Sequence, residues 1–400
     1  MKLLHLLYLL PFMAACGSGH SGSEGLLSVN LREEMNHPSM LHLQDEIESV
    51  EYIPLETTAD PASLLDGVSE YAVTSKFIYV SPVKEQRIVL FDRKGHFIKT
   101  LIPFGQGPGE FSNILVGMQA DEKNDRLYLF CGNLISVYTL DGEFIHNLNN
   151  DYQVVFQRMV DDDRLASVAF PYVPFQSGSY GLGIFTTKGD TVAIKNDFSS
   201  PLVPREKAGF TISIAVTYSE QQKSLLFKTG CNDTIFRISG DKIAPACVLN
   251  LQNSDKEVIR SLDATDFSSL RNKFGEDGDI LVSDLFETPQ NYYFRCRYNG
   301  GGYVASVNKE TGKVLTEKCE QPGDVWKLSD ANLLFGMLGT RSYGHFPIWG
   351  RMEGNDLVQL ITSYELSLYK EKADISVPHE LKDINEDSNP VFIIYKLRKS

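Results

Sequence analysis

This sequence of 400 residues lacks the motifs that most directly indicate a chemical activity. It contains no C-x-x-C pair, no H-x-H or H-E-x-x-H spacing for zinc, and no calcium loop of the D-x-[DN]-x-[DN]-G type. The G-x-S-x-G turn of serine hydrolases is also missing. No catalytic residue, metal ligand or cofactor can therefore be assigned from a motif, and whether the chain is an enzyme stays open.

Positive charge is in the minority, with 38 Lys and Arg against 52 Asp and Glu and a formal net charge of −14. Binding to nucleic acid needs a concentrated basic face. No cluster of Lys and Arg with interleaved aromatic residues occurs. We therefore expect no nucleic-acid partner.

Cysteine is scarce, with six residues in the whole chain. Leaving Cys16 aside, an odd number remains, so at least one thiol is free. Cys231 and Cys247 are the only pair close enough in sequence to suggest a local bridge, and the spacing does not decide whether they form one.

Only one long apolar run is present, at residues 3–15 after Lys2, and it is too short to span a bilayer. The run predicts a signal peptide over residues 1–15. It ends in Met-Ala-Ala before Cys16, which resembles the lipobox of bacterial lipoproteins. That resemblance implies a lipidated Cys16 that tethers the chain to a membrane; the alternative is an ordinary cleavage site with an incidental cysteine.

Residues 17–25 (GSGHSGSEG) are small and polar, which is typical of a flexible spacer. We assign residues 16–46 to a lipidated linker and N-terminal segment, and residues 47–400 to a single domain. Glu24 is the only acidic residue of the spacer, so the sequence does not support display on the cell surface, and the leaflet stays open.

A hairpin repeat sets the predicted architecture. Residues 87–101 (RIVLFDRKGHFIKTL) align without gaps to residues 134–148 (LISVYTLDGEFIHNL), and each copy has apolar strands around a turn that ends in glycine. The pattern recurs in GIFTTKGDTVAI, DTIFRISGDKIAPA and VASVNKETGKVLTE. Another strand pair precedes each hairpin, and four strands in under about fifty residues are typical of a β-propeller blade.

We therefore predict an all-β, six-bladed propeller, with seven blades as the alternative. Residues 254–274 have apolar residues near helical spacing and predict a helical insertion. IESVEYIPL near the start and NPVFIIYKLRK at the end each lack a partner strand nearby. We expect these two segments to pair and close the last blade.

The stretch GQGPGEF at residues 105–111 follows the first hairpin. It lacks the Lys and Ser/Thr of a P-loop, and its proline has no N–H to offer a phosphate. We predict a structural corner between two blades, in which Glu110 accepts backbone N–H bonds. The residues of this corner motif are Gly105, Gly107, Pro108, Gly109, Glu110 and Phe111.

With this corner and the two terminal segments, the chain resembles the six-bladed β-propeller lipoproteins of Bacteroidetes, a family of unknown function. Its hairpins are similar to those of NHL-type propellers generally. The resemblance implies a propeller fold and a cell-envelope location, at the outer membrane through the lipid anchor. It brings no catalytic residues.

Two segments supply candidate ligand-binding residues, and for both the alternative is ordinary packing in the core or at the rim. One segment begins the inner strand of blade six, and the other is an aromatic loop in blade three. The candidates are Arg341, Tyr343, His345 and Trp349, with Tyr172, Phe175 and Tyr180. The acidic stretches at residues 121–125, 161–163 and 276–279 are predicted to be solvated turns.

Three functions fit these features. The first is a lipid-anchored propeller that acts as a binding or scaffold module for a glycan, a peptide or a partner protein of the envelope. The second is a hydrolase or lyase acting on polysaccharide or peptide, with its site at the channel mouth. The third is a structural subunit of an outer-membrane uptake complex.

Overall fold

The hairpins expected from the repeat are the third and fourth strands of four-stranded antiparallel sheets, which are arranged as the blades of a propeller. The structure is a computed structural model, and it describes residues 26–41, 43–132, 134–149, 154–169, 180–196, 217–221, 224–228, 233–252, 279–319, 351–372 and 378–398. These residues form six blades, as predicted. In each blade the first strand lies at the centre of the propeller and the fourth at the rim.

The first three blades use their strands in chain order. Blade 1 contains β3 (Val68–Val73), β4 (Phe77–Pro82), β5 (Arg87–Asp92) and β6 (Phe97–Pro103). Blade 2 contains β7 (Gly117–Asp121), β8 (Arg126–Cys131), β9 (Leu134–Tyr138) and β10 (Phe144–Asn149). Blade 3 contains β11 (Val154–Met159), β12 (Arg164–Ala169), β13 (Tyr180–Thr186) and β14 (Thr191–Asn196).

The next two blades repeat this order. Blade 4 contains β15 (Thr217–Gln221), β16 (Ser224–Lys228), β17 (Thr234–Ser239) and β18 (Lys242–Val248). Blade 5 contains β19 (Leu281–Glu287), β20 (Asn291–Tyr298), β21 (Gly301–Asn308) and β22 (Val314–Lys318).

Blade 6 closes the propeller with strands from both ends of the chain. It contains β23 (Arg351–Glu353), β24 (Asp356–Ile361) and β25 (Val391–Leu397), and its outer strand is β2 (Ile47–Pro54). β2 and β25 are antiparallel from the pair Ile47 and Leu397 to the pair Pro54 and Val391. The predicted pairing of the two terminal segments is confirmed.

Glycine recurs at the turn of the repeated hairpin for a conformational reason. Gly95 and Gly142 have φ angles of 90° and 88°, in the left-handed region that residues with a side chain rarely adopt. The corresponding glycines of the next three copies also have positive φ: Gly189, Gly240 and Gly312. The repeat is therefore visible in the sequence because each hairpin needs glycine at this turn.

The core lies between neighbouring blades. Tyr71 of blade 1 packs edge to face on Phe392 of blade 6, with ring centres 5.1 Å apart. Because both faces of a blade are covered, the middle strands carry continuous buried runs rather than an alternation of buried and exposed residues. In β5, for example, the four residues from Ile88 to Phe91 are all buried.

The segment before β2 packs along the outside of the propeller. β1 (Leu27–Ser28) adds a parallel fifth strand to blade 4 by pairing with β18. The short helix α1 (Leu31–Met35) follows and contacts the outer strand of blade 5. There the Thr316 hydroxyl donates to the carbonyl of Glu34 at 2.7 Å. The sequence did not reveal that residues 26–46 contribute to the fold in this way.

Helical structure is limited in the described residues. The polar stretch before β25 contains α2 (Ser363–Lys372) and a 3₁₀ turn at His379–Leu381. Two further 3₁₀ turns lie at Leu43–Glu46 and Pro61–Ser63. Nowhere in this part of the chain is a helix long and apolar enough to cross a membrane. The predicted helical insertion at 254–274 lies outside the described residues.

The described cysteines are buried free thiols, among them Cys247 on β18. Burial raises the pKa of Cys247 to about 12. Cys231 lies outside the described residues, so the structure offers no support for a bridge between Cys231 and Cys247.

Between blades 4 and 5, one buried carboxylate is shared by two cations. Glu287 accepts hydrogen bonds from the Arg237 guanidinium at 2.7 and 3.0 Å. The Lys309 ammonium donates to the same carboxylate at 2.6 Å and lies 4.8 Å from the centre of the Tyr292 ring. Burial by itself would raise the pKa of Glu287, but the bonds from Arg237 and the charge of Lys309 outweigh it and lower this pKa.

The closing blade can be tested by truncating a buried side chain of β25. We expect Ile393→Ala to lower the free energy of unfolding by about 2–5 kcal/mol, because the fully buried side chain leaves a cavity. Urea unfolding followed by circular dichroism measures the change. The control is Ile98→Ala on β6, whose side chain is 42% exposed. Equal losses in the two variants would contradict the importance of this blade.

The charge cluster predicts a pH-dependent stability. We expect Glu287→Gln to lower the free energy of unfolding by about 3 kcal/mol near neutral pH, because two cations lose their shared carboxylate. Since the pKa of Glu287 is lower in the folded chain, its contribution is present above the unfolded pKa and disappears as pH falls through the folded pKa. Urea unfolding at a series of pH values should show wild type and variant converging on acidification. A gap that stays constant would refute the assignment.

Candidate funnel on one face of the propeller

A funnel opens on the face where the first strand of each blade turns into the second. We use the name funnel for this cavity, which has a volume of about 1020 Å³. It is lined by the first turns of blades 1, 2, 3 and 6 and by three charged side chains from farther out in blades 1 and 6. The lining comprises residues 73–75, 119–124 and 159–164, Glu353, Gly354, Asp356, Glu51, Arg93 and Lys396, with Tyr128, Thr186, Val192 and Val358.

Short polar side chains shape these turns. The Asp121 carboxylate accepts the backbone N–H groups of Lys123 and Asn124 at 3.1 and 3.2 Å. Asp161 accepts the N–H of Asp163 at 3.1 Å in the equivalent turn of blade 3. Asp is suited to this position because its side chain reaches the backbone two residues on. The acidic residues therefore occur at turns, as predicted, and they also line the funnel.

Hydrogen bonds between neighbouring turns make this rim continuous. The Ser75 hydroxyl of blade 1 donates to Glu122 of blade 2 at 2.6 Å. The Asn124 side-chain amide of blade 2 donates to Asp162 of blade 3 at 2.6 Å. The lining of the funnel is thus held by contacts that join three blades.

Negative charge is in excess in the funnel, which has eight carboxylates and four cationic side chains in its lining. Two of the cations are ion-paired at short range: Arg93 with Glu51 at 2.9 Å and Arg164 with Asp161 at 2.7 Å. Lys396 forms a third pair with the funnel residue Asp356. The remaining carboxylates give the funnel a net negative character, which favours cationic or hydroxyl-rich ligands.

The floor of the funnel is formed by two inner strands that are bonded through a side chain. The Gln119 amide of β7 donates to the carbonyl of Met159 at 3.1 Å and accepts the N–H of Met159 at 2.8 Å. One residue deeper, Arg158 is almost fully buried, and its guanidinium lies 4.0 Å from the Glu70 carboxylate of β3. Polar contacts therefore join the first strands of blades 1, 2 and 3 at and below the lining of the funnel.

Gly117 on β7 makes room for this guanidinium. A methyl group added at Gly117 would lie 2.3 Å from Nη1 of Arg158 and 3.3 Å from the Phe130 ring. The Arg158 guanidinium also lies over Phe130, 5.5 Å from its ring centre. The absence of a side chain at Gly117 is thus a packing requirement of the floor.

We expect Gly117→Ala to lower the free energy of unfolding by about 1–3 kcal/mol, because the new methyl group displaces the Arg158 guanidinium. Thermal or urea unfolding measures this loss. Combined with Arg158→Met, the same glycine substitution should cost less, since the clashing group is gone. An unchanged cost in the double variant would show that the clash is not with Arg158.

The corner at residues 105–111 lies on the opposite face, where it connects β6 to β7. Glu110 accepts the N–H of Gly107 at 2.7 Å, and a methyl group added at Gly105 would lie 1.9 Å from the same carboxylate. Gly109 has a φ of 81°, and Phe111 is buried. The glycines before Glu110 thus leave space for its carboxylate, and the segment acts as a connector between blades 1 and 2.

Most of the candidate ligand-binding residues stay predictions. Tyr180 is the first residue of β13, in the middle of blade 3. The other six candidates and the lipidation site lie outside the described residues: Tyr172, Phe175, Arg341, Tyr343, His345, Trp349 and Cys16.

One acidic residue differs from its predicted place. Asp279 was expected in a solvated turn, but it is buried, 3.9 Å from the guanidinium of Arg32 on α1. The reason is the N-terminal segment, which covers this part of blade 5. Within the described residues, no group of three or more His, Cys, Asp or Glu side chains is arranged to hold a metal ion.

The sequence from residue 26 to residue 396 matches the model of a family described as a domain of unknown function, DUF4934. The chain belongs to this family. The resemblance to a propeller family of unknown function is thereby confirmed. The match to the family also covers the N-terminal segment that packs on blades 4 and 5. No curated protein matches the sequence.

Two solved structures are similar in fold. A Bacteroides fragilis protein described as exported has a TM-score of 0.65 and 12% identity, covering 93% of this chain and 99% of that chain. A member of the DUF4221 family from Bacteroides vulgatus has a TM-score of 0.52 and 12% identity, covering 88% and 98%. At these identities the likeness shows the fold alone.

Proposed function

We propose that this chain is an exported, lipid-anchored propeller of the cell envelope that binds a cationic or hydroxyl-rich ligand in its funnel. The observation that carries the proposal is the funnel itself, a cavity of about 1020 Å³ built from the turns of four blades. Its volume is at the upper end of the range of ligand sites, about 300–1,000 Å³. A short peptide or an oligosaccharide is the size of ligand that fits.

The charge of the lining favours basic peptides and amino sugars over other members of these classes. Ion pairs hold three of the four cations, so the carboxylates without an ion pair set the sign of the local field. A protonated amine that enters the funnel is attracted by this field, and it does not have to displace a buried charge. Hydroxyl groups are a second match, because carboxylates accept their hydrogen bonds.

Export and anchoring are supported by the N-terminal pattern and by one structural relative. The apolar run before Cys16 has the features of a signal peptide, and the cysteine stands where a lipidated residue is expected. The Bacteroides fragilis relative is described as exported. Anchored in this way, the propeller would act at the envelope as a binding or scaffold module.

Ligand binding in the funnel is tested by removing charge while keeping shape. The double variant Glu122→Gln, Asp162→Asn loses two carboxylates but keeps an acceptor oxygen for Ser75 and for Asn124. We expect its affinity for oligolysine and for chitosan oligosaccharides to fall about tenfold or more, which corresponds to about 1.4 kcal/mol. Isothermal titration calorimetry at low and high salt measures the change.

The matched control is Asp141→Asn, Glu143→Gln, which removes the same charge from an exposed turn of blade 2 on the same face. Neither residue lines the funnel. This control should bind like wild type. Equal weakening of both double variants would show that only the overall charge matters, and binding that is the same in all three proteins would refute the funnel as the site.

A further inference from the structure

The two faces of the propeller differ in their exposed apolar side chains. Connections on the face opposite the funnel carry five large apolar residues that are 42% to 64% exposed. At the described turns of the funnel face, Phe144, which directly follows the β9–β10 turn, is the large apolar side chain exposed to a similar extent, at 45%. We name the five residues the apolar face: Leu64, Val83, Phe104, Ile114 and Tyr364.

Chain topology places these five residues on one side. Leu64, Phe104 and Ile114 lie in connections from an outer strand to the next inner strand. Val83 and Tyr364 follow the second strand of a blade. In an antiparallel blade, both kinds of connection emerge on the same side, and the turns that line the funnel emerge on the other.

Local contacts bring the blade 1 part of the apolar face together. Arg87 donates to the carbonyl of Leu64 at 2.9 Å and lies opposite Pro103, the residue before Phe104. The Phe104 ring rests edge to face on the buried Phe111, with ring centres 5.5 Å apart. Phe104 is therefore held in an outward position by a packed ring, so its exposure is a feature of the fold.

The tether supplies the reason to expect a membrane beside the folded body. Nine residues separate the predicted lipid site Cys16 from Leu26, the first residue that the structure describes. A chain of this length reaches at most about 35 Å, which keeps the propeller close to the lipid surface. The inference thus rests on the anchoring in the proposed function.

The exposed apolar side chains indicate which face turns to the membrane, because acidic side chains occur on both faces: besides the carboxylates of the funnel, Glu56, Asp60, Glu85 and Glu110 lie in the connections around the apolar face. Aromatic and aliphatic side chains at loop tips gain free energy when they enter the boundary between headgroups and acyl chains. We propose that the apolar face docks on the lipid bilayer, so that the funnel opens away from the membrane.

The test places a tryptophan on each of two matched positions. Phe104 is 46% exposed on the apolar face, and Phe144 is 45% exposed on the outer strand β10. The full lipidated chain is reconstituted into phosphatidylethanolamine and phosphatidylglycerol vesicles that contain lipids brominated on the acyl chain. The two native tryptophans are accounted for by subtracting the wild-type signal.

We expect the tryptophan of F104W to lose roughly twice as much emission as that of F144W, because a docked side chain lies ~5–10 Å deep in the interface. Adding Ile114→Ser and Leu64→Ser to F104W should reduce this quenching. Equal quenching at the two positions would overturn the proposal. So would a blue-shifted F104W emission without quenching, which indicates that protein covers this face.

Mass spectrometry of the purified chain separates this proposal from the anchoring on which it rests. A diacylated Cys16 together with equal quenching would refute only the docking of the apolar face. If the wild-type chain carries no lipid at Cys16 and stays in solution as the Cys16→Ser variant does, the anchoring is refuted, and the docking with it.

Discussion

The pairing of β2 with β25 is the constraint on which the rest of this structure depends. Each blade of a propeller buries its two faces against its neighbours, so an unclosed ring would leave two blade faces in water. Here the ring is closed by hydrogen bonds between residues 47–54 and 391–397, near opposite ends of the chain. Side chains from this sheet, such as Phe392 and Ile394, then pack against Tyr71 and Val89 of blade 1. The closing contacts thus join residues from nearly opposite ends of the chain.

Charged and polar side chains add restraints where the inner strands leave little room for apolar packing. The Gln119 side chain bonds blade 2 to blade 3, and Arg158 extends toward blade 1 over the space left by Gly117. Between blades 4 and 5, Glu287 links two cations. Buried groups of this kind are costly unless they are paired, so each also selects one arrangement of neighbouring blades. Of these contacts, those of Gln119 and Met159 belong to the lining of the funnel.

The two faces differ because two kinds of connection emerge on them. The turns between first and second strands are short, and Asp and Thr side chains satisfy their backbone N–H groups. The Asp side chains of these turns also contribute to the negative charge of the funnel. The other face also has long connections, among them the corner around Glu110 and the segment with helix α2, which present apolar side chains. A polar cavity on one side and an apolar surface on the other therefore follow from the same blade topology.

The sequence by itself determined the fold class and the closure by terminal strands, and it favoured six blades over seven, because the turn glycine recurs in five copies of the hairpin and the terminal strands lacked local partners. It also identified the corner at residues 105–111 as a connector, since the missing lysine and the proline excluded phosphate binding. The sequence did not reveal the funnel, although it showed the acidic turns at Asp121 and Asp161. Only the tertiary structure brought these turns together, placed Arg158 against Gly117, and showed that residues 26–46 cover blades 4 and 5. The physical reason is range: a hairpin is specified by neighbours a few residues apart, whereas these contacts join residues that only the closed ring brings side by side.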